Sequence, residues 1–481
     1  ADFNNFKAWA LRLADTGPLS FYAPGYYCDY PPFSMYVFWI IGKIAKIFNF
    51  SGNDFVFNSL LKLPALVCDI ASAWLIFALT RKKNPVLGMI MAVIYLFLPV
   101  AIYSSSYRGL IDSYYVGLIL AAIYFVVRRN KPEVAAALVV AAVLTKVQTI
   151  AVVPLFLLYL VRKFQWKRQV GALATALGTL VLIVLPFNLQ QPFTWIIDLY
   201  RKQAELYPYA SANVANFLAM LNGNNQTATT LVLPGVSFAV LGYALFMAGA
   251  AWSCYYYWRK QTWGGLLVGL LMISYSFFMF FPRIHESNLL LVFAFLLLLF
   301  AAYKDKRLFY IALLLSISHL LNTHAVTLKY QNLINEEMFG RVIYILSIVN
   351  TVIFVAVWGI FQLRIVKERK NCRGLQVQYD TLLRENQFNK LIITPFGLTG
   401  RDFLAIGLIA LVYTVVIFFR LGSWSTPRTG MDLSGPQNAM EVVFEQPASI
   451  TTVAWYDGEG TGQLQLESYV KGKWQAMDSL S

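Results

Sequence analysis

The stretch YYCDYPPFSMY, residues 26–36, sets one carboxylate, Asp29, two residues ahead of a proline pair and among aromatic rings. An acid held in a loop suits a general base, which takes a proton from an attacking hydroxyl. Residue types that complement it recur along the chain. Asp2 lies in the same first loop. Arg108 and Asp112 stand in YRGLIDSYY, Lys146 and Gln148 in TKVQT, and Arg283, His285 and Glu286 in FPRIHESNLL. Arg, Lys and His hold phosphates well. An acid beside several cations therefore suits group transfer from a phosphate ester, where fixed positive charge stabilises the departing anion. No His, Cys, Asp or Glu run has the spacing of a metal site, and Cys28, Cys68, Cys254 and Cys372 form no C-x-x-C pair. Neither a metal, a cofactor nor a disulfide framework is expected.

The elements that must position these residues are apolar. With 58% hydrophobic, 16% aromatic and 13% charged residues over 481 positions, the solvent of this chain is largely lipid. A net charge of +15 would suggest nucleic acid in a water-soluble protein. Here Lys and Arg cluster at the ends of apolar runs, which is a topology signal and excludes that partner. The runs are 58–80, 85–103, 109–127, 133–161, 170–187, 231–257, 263–281, 289–303, 307–328, 341–363 and 402–420, most of them near the ~20 residues of a spanning helix.

Basic clusters at 81–83, 128–131, 162–168, 259–260, 304–307 and 364–373 belong on the cytoplasmic side. They alternate correctly only if 133–161 enters and leaves on that side, as two half-helices meeting at Thr145–Gln148. A buried Lys146 is costly unless it faces a partner or a cavity. Residues 33–50, broken by Lys43 and Lys46, read as a helix lying along the membrane surface, which leaves Asp29 on the extracytoplasmic face.

The predicted architecture is an all-α polytopic membrane protein with a small C-terminal extracytoplasmic β-sandwich-like segment. It comprises a first extracytoplasmic loop with surface helices (1–57), a transmembrane core (58–363) that includes an outer loop (188–230), a cytoplasmic connector (364–401), a last transmembrane helix (402–421) and the β segment (422–481). In that segment SITTVAWYDG and GQLQLESYV alternate with the period of a strand.

The chemistry-bearing residues gather on the outer face, where cytoplasmic nucleotides are absent. A polyprenyl-phosphate sugar fits: cations for phosphate, the bundle for the isoprenoid chain, rings for the pyranose. The acceptor would be a hydroxyl of a glycan, lipid or protein. Other readings stay open at this level. A transporter of lipid-linked sugars would place charge through both leaflets or show an internal repeat, and a polymerase or ligase with a diphosphate-linked donor would share the outer layout. Asp-Tyr-Pro-Pro also suits an ordinary turn. Asp69 and Asp112 also suit structural acids paired with Lys or Arg.

These motifs carry a resemblance. CDYPPFSMY is similar to the DYPPLTAY stretch of the glucosyltransferases that extend lipid-linked oligosaccharide in the endoplasmic reticulum, and RIHESNLLL resembles their His-Glu motif. KLPALVCDIASAWLIFAL, TKVQTIAVVPLFLL and YPYASANVANFLAML resemble segments of bacterial relatives. The chain thus resembles a GT-C glycosyltransferase, the membrane class that uses polyprenyl- or dolichyl-phosphate sugars. The resemblance implies the GT-C fold in a bacterial plasma membrane and a base at Asp29; Asp2, by its place in the same loop, ranks second for that role. It also implies a donor phosphate near His285, and Glu286, Lys62, Pro64, Asp69, Lys146, Gln148, Tyr209, Ser211, Asn213 and Asn216 near the site. It further implies a helix ahead of residue 1. In SYRGLIDS, Asp112 and Ser113 match the relatives' Trp-Gly-Gln-x-Asp-Ser, while Arg108 and Leu110 replace Trp and Gln.

Overall fold

The computed structural model describes residues 2–371 except 24–25, 51–54, 82–84, 193, 207 and 332, together with 400–418, 467–470 and 473–476. The chain divides into two compact units, Ala1–Trp424 and Ser425–Ser481.

The first unit is helical. It opens with α1 (Asp2–Thr16) and α2 (Pro32–Ile47), continues through α3 (Phe55–Thr80) and α4 (Pro85–Leu96), and then runs through the short α5 (Pro99–Ile102) into a π-helical turn, Tyr103–Tyr107. Next come α6 (Asp112–Arg128), α7 (Pro132–Val143), a 3-10 turn (Val147–Val152), α8 (Val153–Lys163) and α9 (Trp166–Asn188). The outer loop carries α10 (Trp195–Leu206), α11 (Phe217–Met220) and a hairpin of β1 (Leu231–Leu233) with β2 (Val236–Ser237). The bundle closes with α12 (Phe238–Arg259), α13 (Trp263–Phe280), α14 (Leu290–Tyr303), α15 (Lys306–Tyr330), α16 (Glu336–Asn371) and α17 (Gly400–Phe418).

Six of these helices, α3, α9, α12, α13, α15 and the first part of α16, are long and apolar enough to cross a membrane. The bent α4–α5 pair makes a seventh candidate. In the most apolar window of α13, 83% of residues are buried, against 11% for α9. Thus α13 is a central post, and α9 is a peripheral helix whose Val170, Leu173, Leu177 and Val181 face outward as lipid-facing residues do.

Local sequence explains most helix limits. Pro32 begins α2, where a missing N–H costs nothing. Asp112 and Arg128 sit at the ends of α6 that favour their charges. Ser237 and Thr262 cap α12 and α13 through their side-chain oxygens.

Three expectations shift. The run 85–103 is not one straight span: it bends by 44° at Leu98, which the following Pro99 holds in an extended conformation. The run 231–257 begins as the β1–β2 hairpin, turned by Pro234 and by Gly235 at φ 77°, so its helix starts at Phe238. Residues 133–161 do form two pieces, broken at Leu144–Lys146 as read from the sequence.

Contacts sort the basic turns to one end of the bundle. Arg128 donates to the Leu79 carbonyl, Arg168 to Glu133 and to the Asn130 carbonyl, and Lys163 to the Gln261 carbonyl at 3.2 Å.

In the second unit the described residues form one antiparallel hairpin, β3 (Glu467–Val470) with β4 (Lys473–Ala476), Tyr469 opposite Trp474. The rest of the expected sandwich, and residues 372–399 of the connector, lie outside the described residues.

The α1–α2 pair rests on one close approach. A Cβ on Gly42 would collide with the Ala10 carbonyl. Gly42→Val therefore separates the two helices that carry the first loop. The expected cost is about 1–3 kcal/mol or more, read as a fall in thermal midpoint of purified protein beside a Gly407→Val control, where nothing lies within 4 Å.

Candidate active site at one end of the bundle

Asp29 is 9% exposed and sits in a loop fixed on several sides. The Trp9 indole N–H donates to the Tyr27 carbonyl at 3.0 Å, and the Tyr22 hydroxyl donates to the Tyr30 carbonyl at 2.8 Å. The Cys28 thiol points at that same carbonyl, 3.7 Å away, and burial pushes the thiol well above its ordinary pKa, so it stays protonated. Pro31 is extended and Pro32 opens α2. The Phe33 N–H, one of the donors that a helix start leaves unsatisfied, is taken at 3.0 Å by the carbonyl of Leu144, at the end of α7. This bond joins the acid loop to the broken helix two residues before Lys146.

Lys146 is extended at the break (φ −146°, ψ 127°) and 8% exposed. Its ammonium pairs with the fully buried Asp112, lies 3.4 Å from the Ser287 hydroxyl and stands 5.7 Å from the Tyr30 ring centroid. Ser104 donates to the other Asp112 oxygen at 3.1 Å. One residue pair further on, Gln148 donates to Asn288 at 2.8 Å.

The loop between α13 and α14 supplies the next group. Arg108 donates to Glu286 at 2.6 Å. Burial pushes the Glu286 carboxyl up, but the charges of Arg108 and His285 outweigh it and hold the group below the ordinary carboxylate range. His285 bridges the backbone of Ala212, and the Arg283 N–H donates to the Tyr209 carbonyl at 3.2 Å. Arg283 is left-handed (φ 61°), a conformation that an arginine adopts only when its surroundings impose it.

The outer-loop segment Ser211–Asn216 is buried and irregular, so helices must satisfy its backbone. Asn322 of α15 accepts from Ala215 N–H at 3.0 Å and donates to the Asn213 carbonyl at 2.9 Å. Asn350 of α16 donates to the Ala215 carbonyl at 2.7 Å and accepts from Ser318 at 2.7 Å. Asn216 caps α11 by accepting from Ala219 N–H at 3.0 Å.

Lys62 completes the set. It is 7% exposed, and its ammonium lies 5.3 Å from the Phe3 ring centroid, with Lys7 at 5.4 Å from the same ring. Phe3 in turn covers Gly109 (φ 64°), leaving no room for a Cβ there. Lys62 has no carboxylate partner among the described residues.

The sequence thus named both partners of two ion pairs without pairing them. Its suggestion of a Lys or Arg partner holds for Asp112. It fails for Asp69, whose oxygens instead accept from the Ser113 hydroxyl at 2.5 Å and the Tyr413 hydroxyl of α17 at 2.9 Å. Tyr22 of the first loop packs against Phe187 near the end of α9 and against Trp195 of α10. The Asp2 side chain lies outside the described residues. Sequence reasoning missed Phe3, Lys7, Ser287, Asn288, Asn322 and Asn350. Only the last two carried a signal, as amides inside apolar helices.

A helical membrane bundle with acids and cations drawn to one end, around a broken helix, is the layout of a membrane-embedded group transferase. The sequence profile of glycosyltransferase family 87 matches residues 27–282, just over half of the chain. The chain therefore belongs to glycosyltransferase family 87, a GT-C-type membrane family, and is a glycosyltransferase with transmembrane helices. The match takes in Asp29, Lys62, Arg108, Asp112 and Lys146, and ends just before Arg283. No curated protein matches the chain.

Two outcomes test this geometry. Lys146→Met and Asp112→Asn should each cost about 3–5 kcal/mol by stranding a buried charge, and the double variant should cost less than their sum in thermal unfolding. Glu286, with its lowered pKa, contributes stability that is present above the ordinary carboxylate pKa near 4.5 and is lost as pH falls through its folded value. Glu286→Gln should therefore lower the thermal midpoint at pH 7 and flatten the acid limb of the stability profile.

Proposed function

We propose that this protein is an inverting glycosyltransferase that moves a sugar from a polyprenyl-phosphate donor to an acceptor hydroxyl of a glycan, lipid or protein. The reaction takes place on the extracytoplasmic face of a bacterial plasma membrane. The observation that carries this reading is the joining of the Asp29 loop, through Phe33 and Leu144, to the break that holds Lys146. The basic turns at 79–81, 128–133 and 162–168 lie at the other ends of α3, α6 and α8, in keeping with a cytoplasmic side opposite the site.

In this reading Asp29 takes the proton of the acceptor hydroxyl. The hydroxyl oxygen attacks the anomeric carbon from the face opposite phosphate, and the bond to the phosphate oxygen breaks with its electron pair leaving on the phosphate. Phosphate is a good leaving group, so cations replace a general acid. Lys146 and Arg108 are already offset by Asp112 and Glu286, which makes Lys62, with Lys7 beside it, the stronger phosphate ligand. Arg283 and His285, on the loop that pairs with Arg108, close the other side. Glu286, Asp112 and Gln148 position those groups, and Tyr209 and Asn213 belong to the wall that holds the Arg283 loop. No metal or cofactor enters the scheme.

A second reading makes Asp2 the base. Its support is Phe3, whose ring lies near the ammonium groups of Lys7 and Lys62 and which packs against Gly109, so the backbone of residue 2 starts beside two cations.

The experiment is sugar transfer from labelled polyprenyl-phosphate sugars by reconstituted protein. Asp29→Asn should lower kcat by about 10²–10⁴ with donor binding little changed. Full turnover in that variant together with loss in Asp2→Asn would move the base to Asp2. Lys62→Met should raise the donor KM about tenfold, the loss of one charge-assisted contact of roughly 1.5 kcal/mol. Chelators should leave the rate unchanged.

A further inference from the structure

Between α3 and α6, in the half of the bundle remote from Asp29, the described residues line an open groove of about 480 Å³. Ala71, Trp74 and Leu75 line one wall, and Ala121, Tyr124 and Phe125 the other. Small residues, Ala71 and Ala121, open the groove, and Trp74 and Tyr124 meet across it with ring centroids 5.7 Å apart. At its end stand two exposed cations, Arg129 and Lys131.

The turn that carries them is built to place them there. Asn130 is left-handed (φ 53°), and both Arg129 N–H (3.2 Å) and Lys131 N–H (3.0 Å) fold back onto the Phe125 carbonyl at the end of α6. The Arg129 Nε–H donates to the Tyr124 hydroxyl at 3.1 Å, which turns the guanidinium toward the mouth of the groove. None of these residues belongs to the site around Asp29.

We propose that this groove is a binding site for one anionic phospholipid of the leaflet opposite the active site. An acyl chain lies between α3 and α6, and the headgroup phosphate lies on Arg129 and Lys131. Charge selects this occupant. A zwitterionic lipid fills the apolar groove equally well but carries no net charge for the two cations, whereas basic pockets between helices on the cytoplasmic side suit anionic heads. A segment of this chain or another protein helix would gain nothing from a basic mouth unless it brought an acid there. The site is independent of the donor and acceptor proposed above, so its test does not depend on sugar transfer.

The test is native mass spectrometry of the full-length protein, stripped of lipid in detergent. The protein is titrated with phosphatidylglycerol and, separately, with phosphatidylcholine of the same acyl chains. Phosphatidylglycerol should bind more tightly, and the Arg129→Ala/Lys131→Ala double variant should lose that preference, by roughly 25-fold at about fivefold for each surface cation. A Lys306→Ala/Arg307→Ala variant removes as much charge from another basic turn and should bind as the unaltered protein does. Ala121→Trp fills the groove and should weaken both lipids alike. Equal affinity for the two lipids would overturn the proposal. So would a preference that survives in the first double variant, or one lost equally in the Lys306/Arg307 control.

Discussion

A lysine in the middle of an apolar run must be neutralised or solvated, and the arrangement at Lys146 follows from that requirement. The helix breaks at Leu144–Lys146, the extended backbone turns the ammonium toward Asp112, and the carbonyl freed at Leu144 captures the first-turn N–H of α2. In lipid, no water is at hand to satisfy either the charge or the carbonyl. The same event that neutralises Lys146 therefore fixes the loop carrying Asp29. If Lys146 were apolar the helix could run straight, and the acid loop would lose its anchor.

The outer loop obeys the same constraint. Ser211–Asn216 enters the bundle without regular structure, and its polar groups are met by amides on α15 and α16. That segment then holds the Arg283–Glu286 loop through Tyr209 and Ala212, and Glu286 holds Arg108. Each irregular stretch is supported by another, from Asn350 at the back of the site to Arg108 at its front. Helix breaks and irregular loops in a membrane bundle are costly, and here they coincide with the residues capable of chemistry. That is where a protein concentrates strain when function requires it.

Charge is divided unevenly around the site. Lys146 and Arg108 each face a carboxylate, while Lys62 lies beside Lys7 with only an aromatic ring between them. The paired cations hold the architecture, and Lys62 faces no carboxylate among the described residues. In the basic turns opposite, Arg128 and Arg168 donate to the Leu79 and Asn130 carbonyls, Arg168 also pairs with Glu133, and Arg129 borders the groove between α3 and α6.

Composition and periodicity alone determined the solvent, the helical class, nearly every apolar segment and the break at Thr145–Gln148, because burial in lipid leaves a run-length signature and a charge inside a run is conspicuous. Motif order and resemblance pointed to the right family and singled out Asp29, Lys62, Arg108, Asp112, Lys146 and Glu286 as candidates. What only the tertiary structure decided is which of them touch. Lys146 and Asp112 are 34 positions apart and Arg108 and Glu286 are 178 apart, and nothing in local spacing pairs residues across such separations. Phe3, Ser287 and Asn288 were invisible for the same reason: a ring, a hydroxyl or an amide gains its meaning here from the neighbour that folding brings to it.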